Sequence, residues 1–374
     1  MVRCDSSTAL NPGDRAVVRG KIYPFTARHG GYGRLMTRRG YVGTLYLNRS
    51  SLLLSDTLHR ELSPKHLSLF LHERAVARLD RLALAPDEQA LCNAMTAGDR
   101  RSLSPALRAA YSRSGTSHLL AVSGLHVGIV FLLANLLLWW LPLFRHGHIL
   151  RNIAVILLIW LYAATTGFPP SVVRAALMFS VLQFALASSS EYVGMNTLAG
   201  VAFVMLLFHP DYLFDISFQL SFIAVAGIIA WGLPLCRLLR TRRKSIDMLT
   251  ATLAIGFSAS AATAPLISHT FGQISVVGLA LNPVVILLSY VVVGSCTLWL
   301  VIPGTVLAPL FSDVAGFAAR AQNELIRAAA ALPAAALDIR LTTTQCWIVY
   351  GLFIFATLLL WSAERKKSVS SLPE

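Results

Sequence analysis

The sequence predicts a mainly α-helical, polytopic integral membrane bundle, preceded by a small β segment and flanked by amphipathic surface helices. Three observations predict it. With 55% hydrophobic and only 13% charged residues, the mean hydropathy of +0.62 exceeds that of ordinary soluble domains. No Asp, Glu, Lys or Arg occurs between Met248 and Ser312. Further charge-poor runs at 119–144, 152–173, 175–190, 192–210 and 216–236 are comparable to the roughly 20 residues a helix needs to cross a bilayer core.

The polar N-terminal third is also the basic third: residues 1–117 hold 18 Lys/Arg against 9 Asp/Glu, within a chain of net charge +14. Such a surface suits lipid headgroups, nucleic-acid phosphates or plain solvation. Within 14–47, two alternating runs, Ala16–Ile22 and Tyr41–Leu47, flank a Gly-rich connection and read as β-strands. The opening residues lack the apolar core of a cleavable signal peptide. The five cysteines, at 4, 92, 236, 296 and 346, have no C-x-x-C spacing, so neither a zinc site nor a disulfide framework is expected.

Ser63-Pro64 is a helix start, followed by an amphipathic stretch with Leu67, Phe70, Leu71, Val76 and Leu79 on one broad face. Ser104-Pro105 repeats that signal for a short helix that Gly115 stops. Spans follow at about 119–141, 151–167, 172–188, 194–209, 215–235 and 246–270, then a broken region at 275–302 and a last span at 345–362. Asn282-Pro283 motivates the break, because the residue before proline leaves helical geometry. The loop Arg237–Lys244 holds five positive residues and no acid, which keeps it cytoplasmic. Counting back five spans puts 1–117 outside and Arg145 and Arg151 inside. A re-entrant 275–302 keeps 303–340 outside and Glu364–Lys367 inside, whereas one plain crossing reverses both. Segment 314–332 reads as another surface helix.

Three motifs carry polar chemistry into the spans. In "HLLAVSGLHVGIV" (118–130), a straight helix puts His118, Ser123 and His126 on one side and Gly124 and Gly128 on the other. The glycine pair permits close helix packing. The polar trio is then expected to face a hydrated passage, since turning it to lipid is costly. Two turns between the histidines exclude a shared metal ion. Ser123 and His126, three apart, permit a nucleophile and base pairing, but there is no G-x-S-x-G elbow or orienting acid. In "TTGFPPSVVRAALM" (165–178), Arg174 stands in the first turn of a span, opposing the helix dipole and pointing to an anionic partner or to a snorkelling side chain. In "HPDYLFDISFQLSFIAVAGI" (209–228), Asp215 and Gln219 are i, i+4 neighbours, and an Asp215–Arg174 ion pair is expected.

The stretches 115–130, 167–178 and 215–228, with the weaker "APLISHTFGQIS" and "LALNPVV" of 264–285, resemble the ComEC-type competence proteins. The segment 94–115 also resembles the lead-in to that family's membrane domain. The resemblance covers roughly 94–302 and implies an inner-membrane, multi-pass channel that takes up single-stranded DNA during natural transformation, not an enzyme and without a cofactor or metal. It implies a partial OB-like segment at 1–60, surface helices at 61–117, the channel domain at 118–302, a surface-helix region at 303–340 and a last span with basic tail at 341–374. His118, Ser123, His126, Arg174, Asp215 and Gln219 become expected channel-lining groups. Arg15, Arg19, Lys21, Arg28, Arg34, Arg38 and Arg39, with Tyr23, Phe25 and Tyr32, become the expected DNA-gathering surface. A metallo-β-lactamase-like domain found in many members is not recognised, so nuclease action is expected from a separate protein. A DNA receptor outside and a cytoplasmic motor are the other implied partners. The competing readings are an intramembrane serine hydrolase using Ser123 and His126, and a non-conducting DNA receptor or truncated fragment.

Overall fold

The computed structural model describes residues 2–4, 15–24, 33, 37, 42–47, 52–56, 64–187, 194–241, 243–275, 277–302, 308–332 and 336–370. The N-terminal part contains strands β1 (Val2–Cys4), β2 (Arg15–Val18), β3 (Ile22–Pro24), β4 (Gly43–Leu47) and β5 (Leu52–Asp56). β4 is central in one sheet, parallel to β1 and antiparallel to β3, while β2 pairs antiparallel with β5. The single strand expected at Ala16–Ile22 is therefore two, which join different sheets.

The helices are α1 (Pro64–Leu79), α2 (Pro86–Thr96), α3 (Pro105–Arg113), α4 (Gly124–Leu137), α5 (Gly147–Thr165), α6 (Pro170–Ala187), α7 (Gly194–Phe208), α8 (Ile216–Gly227), α9 (Leu233–Leu238), α10 (Lys244–Phe271), α11 (Val277–Val301), α12 (Ala308–Ala330) and α13 (Thr343–Ser370). Two strands, β6 (Ile274–Ser275) and β7 (Ala336–Leu337), complete the order. Among the described residues, five helical stretches are long and apolar enough to cross a membrane: Gly124–Leu143, Gly147–Thr165, Ile216–Leu238, Ile246–Phe271 and Leu281–Val301. Shorter apolar helices occupy Pro170–Ala185, Gly194–Phe208 and Thr343–Leu358.

One core joins α2, α3, α11 and α12 around Leu91, Met95, Leu107, Tyr111, Val292 and Ile326. α2 and α3 of the 61–117 segment and α12 of the 303–340 segment, both segments expected as surface helices, thus pack together and with α11. Small residues allow this approach: Ala315, Gly316, Ala318 and Ala319 form the buried face of α12, and Gly316 sits against Leu84. Polar ties specify the register, with Tyr111 Oη donating to Asn323 at 3.1 Å and Gln322 donating to Tyr111 at 3.2 Å. A second core joins α4, α5 and α6 around Phe131, Ile159 and Ala176.

The expected break at 275–302 does not occur, since α11 runs unbroken through Asn282 and Pro283. Pro283 lies in the second turn, where it removes one helical donor, a loss that packed neighbours in a bundle can absorb. The reversal comes after α11 instead, with α12 returning along it. β6 pairs antiparallel with β7, and Ser268 Oγ donates to Ile339 O at 2.6 Å. Further along, Tyr350 Oη donates to Ala262 O at 3.2 Å. α13 therefore runs antiparallel to α10, and its far end, carrying Glu364–Lys367, lies toward the end of the bundle where α10 starts. Both basic segments, this tail and the Arg237–Lys244 loop, then share one side, as the positive-inside rule requires.

Candidate functional site

The end of α5 and the starts of α4 and α6 lie together at one end of the bundle. Ser117–Leu120 forms a 3-10 turn and α4 starts only at Gly124. His118, exposed in that turn, is therefore not on the helix that carries His126, and the straight-helix projection fails before Ser123. Ser123 is the N-cap of α4 in a capping box with His126. His126 Nδ1 accepts the Ser123 N–H at 2.9 Å, and the Ser123 hydroxyl lies 3.2 Å from the same nitrogen. Because Nδ1 is an acceptor, the ring proton sits on Nε2. His126 is fully buried, and its Nε2 has no hydrogen-bond partner among the described residues. Its Nδ1 lone pair caps the helix by accepting the Ser123 N–H. On the opposite side of α4, Gly124 lies against Ala175, and Gly128 against the Phe179 ring.

The α5–α6 connection is shaped by two left-handed residues, Gly167 at φ 84° and Phe168 at φ 52°. Rather than capping α6, Ser171 donates from Oγ to Val122 O at 2.9 Å, fastening the start of α6 to the approach to α4. Arg174 is only 3% exposed, so it does not snorkel. Its Nη2 is 3.4 Å from Ser171 O, and its guanidinium lies 5.4 Å from the Phe222 ring centre. Nη1 has no hydrogen-bond partner among the described residues. Asp215 is the N-cap of α8, accepting from the N–H groups of Ser217 at 2.8 Å and Phe218 at 3.2 Å, a placement that satisfies the helix dipole. The described ion pairs do not include Arg174 with Asp215.

A cleft of about 930 Å³ opens between α8, α10 and α13, with Met195 of α7 also in its wall. Gln219, His269, Thr270 and Thr343 border it, together with Trp231, Tyr350 and Phe353. Of the residues expected to line a passage, Gln219 is in this wall, its amide donating to Leu213 O at 2.8 Å; His118, Ser123, His126, Arg174 and Asp215 are not. Trp231 Nε1 donates to Thr357 Oγ1 across the cleft at 2.7 Å. A π-helical turn at Ile228–Gly232 forms part of the wall, a distortion frequent at functional sites.

On the β segment, Arg15 lies on β2 and Arg19 and Lys21 are exposed just before β3. Arg28, Arg34, Arg38 and Arg39, with Phe25 and Tyr32, lie outside the described residues. Tyr23 is exposed and packs edge-on with exposed Tyr46, their ring centres 5.9 Å apart. Sequence reading missed Tyr46, whose place beside Tyr23 follows from the β3–β4 register. It also missed an interhelical network in which Gln183 donates to Asn152 at 2.7 Å and Arg151 to Asn135 at 2.9 Å; polar residues inside apolar runs were its signal. Among the described residues, no group of three or more His, Cys, Asp or Glu is gathered to hold a metal ion.

A family model described as "Competence protein" matches residues 95–366. The chain is 32% identical over 204 residues to "ComE operon protein 3" of Bacillus subtilis (strain 168), covering 53% of this chain and 24% of that protein. It is 29% identical over 201 residues to an uncharacterized protein of Aquifex aeolicus (strain VF5), covering 53% of this chain and 45% of the other. The chain thus spans less than half the length of either relative. No solved structure matches it. With a match that takes in α3 to α12, the second core and the cleft, the chain belongs to the competence protein family and is an inner-membrane protein.

Proposed function

We propose that this chain is the membrane-embedded part of a DNA-uptake machine, passing single-stranded DNA across the inner membrane during natural transformation. The observation that carries the reading is the family match over 95–366. A strand in transit carries a charge per nucleotide, so its path needs polar groups and few fixed charges that would hold it. Few fixed charges stand in the apolar spans. The cleft beside Gln219 is too apolar to solvate phosphates as it stands, so conduction requires that α13 move away from α8 and α10. Outside, Arg19 and Lys21 beside the Tyr23–Tyr46 pair would gather the strand by phosphate contact and stacking. A surface receptor, a separate nuclease and a cytoplasmic motor are the proposed partners. The test is uptake of labelled DNA by cells whose own copy has been deleted and replaced by this chain. Restored uptake is expected; normal transformation in the deleted cells without the chain rejects the reading.

A further inference from the structure

The cleft between α8, α10 and α13 has a polar end and an apolar length. Gln219 near the start of α8, His269 and Thr270 at the end of α10, and Thr343 at the start of α13 all border it. These helix ends share one level because α8 and α13 both run antiparallel to α10: Gly227 lies against Ala262 and Gly232 against Ser258, while Tyr350 reaches Ala262. Away from that end the wall is Ile223, Ala226, Ala230, Leu266, Ile354 and Leu358. The polar side chains at depth are already engaged, with Trp231 donating to Thr357 at 2.7 Å and Tyr350 to Ala262 O at 3.2 Å. Trp347, Ile354 and Leu358 are each more than half exposed, so an apolar occupant suits the wall.

Arg340 puts a charge at the polar end. Gly272, left-handed at φ 72°, ends α10, and a Cβ there would lie 2.7 Å from Arg340 Nε. Ser268 donates to Ile339 O at 2.6 Å and His269 Nδ1 lies 3.0 Å from Leu341 O, which fixes the backbone on both sides of Arg340. The residue is exposed and belongs to none of the described ion pairs. A cation at the end of an apolar groove complements an amphiphile with an anionic head.

Dimensions select the occupant. From Thr343 to Leu358 the wall of α13 rises about 22 Å at about 1.5 Å per residue, whereas one leaflet's share of the hydrocarbon core is about 15 Å. An acyl chain entering at headgroup level therefore fits lengthwise. A helix, about 10 Å across, would have to break the Trp231 and Tyr350 ties, while a methylene chain passes between them. We propose that the cleft is a phospholipid site, with an anionic headgroup at Arg340 and His269 and an acyl chain lying along Ala226, Ala230 and Ile354 toward Trp231. It draws on the leaflet opposite the Arg237–Lys244 loop and does not depend on the DNA-uptake reading.

The test is native mass spectrometry of the full chain in neutral detergent, equilibrated with equal amounts of phosphatidylglycerol and phosphatidylcholine. Wild type is expected to retain one phospholipid through delipidation, with phosphatidylglycerol preferred. A226F/A230F, which fills the wall, is expected to lose that lipid at an unchanged melting temperature. R340Q is expected to keep a lipid but to lose about 5-fold of the preference. Wild type without a retained lipid, or A226F/A230F retaining as much as wild type, overturns the site. An unchanged preference in R340Q overturns the headgroup assignment and leaves Arg340 to the dipole of α10. A wild-type dimer that the filled variant abolishes assigns the cleft to a second copy and also overturns the site. Where the filled variant melts lower, one equivalent of dibrominated phosphatidylglycerol decides. It is expected to quench Trp231, read as the quenched emission missing from W231F, and no quenching there overturns the site.

Discussion

The two sides of the bundle are built differently. Around α4 and α11, 39% of the best span window is buried in each case, against 17% for Ile216–Leu238 and 28% for Ile246–Phe271. The first side is sealed by small residues, the Tyr111–Asn323–Gln322 ties and the His126 cap. The second leaves a cleft, crossed by the Trp231–Thr357 bond. In a close-packed interior a helix shift must displace many neighbours at once, whereas on the cleft side α13 has room. The packed side is thus the frame, and α8, α10 and α13 form the more loosely packed side that the proposed conduction would use.

The largest test compares core truncations. Leu91→Ala, at a fully buried position of α2, is expected to cost about 2–5 kcal/mol. Leu352→Ala, on the exposed face of α13, is expected to stay within about 0.5 kcal/mol. Thermal unfolding of the solubilised chain measures both, and equal losses would erase the distinction. Next comes the cap. His126→Ala leaves the Ser123 N–H without its acceptor and should cost about 1–3 kcal/mol, while Ser123→Ala keeps that bond and should cost about 0.5 kcal/mol. A serine-directed probe is expected not to label Ser123; labelling would revive the hydrolase reading.

A smaller effect sharpens the picture on the cleft side. Trp231→Phe is expected to cost about 0.6–1.7 kcal/mol and to speed maleimide labelling of Cys346, which is in the same wall. Unchanged labelling would mean that this bond does not hold α13. The smallest concerns acid. The Arg101 hydrogen bond holds the Asp99 carboxyl below its usual range, so its stabilisation is present above the unfolded carboxylate pKa and is lost as pH falls through the folded value. An exposed partner limits it to about 0.2–1 kcal/mol. Asp99→Asn should therefore flatten the acid limb of the stability–pH curve slightly, and an unchanged limb would remove the pair from the account.

Local signals were legible in the sequence and tertiary ones were not. Ser63-Pro64 and Ser104-Pro105 mark the starts of α1 and α3 because a proline in the first turn acts locally. Gly115 stops α3 with φ 75°, and charge-poor runs located the spans. The break before Ser123 was hidden because "HLLAVSGLH" is apolar enough to pass as helix, while the capping bond depends on a folded turn. Asn282-Pro283 misled in the other direction, since packing kept α11 continuous. The pairing of α12 with α2 and α3 has no marker in local periodicity. For the site, residue types were readable, but Gln219 was grouped with His126 and Arg174, which the fold puts in other places.

The widened turn at Ile228–Gly232 amounts to a spare residue in an otherwise even spiral. Shortening the chain by one position there would restore the regular winding and swing everything downstream by about 100°, carrying the indole of Trp231 off Thr357. The phase of the lower half of that helix, and with it which side chains meet α13, is set by a single-residue insertion.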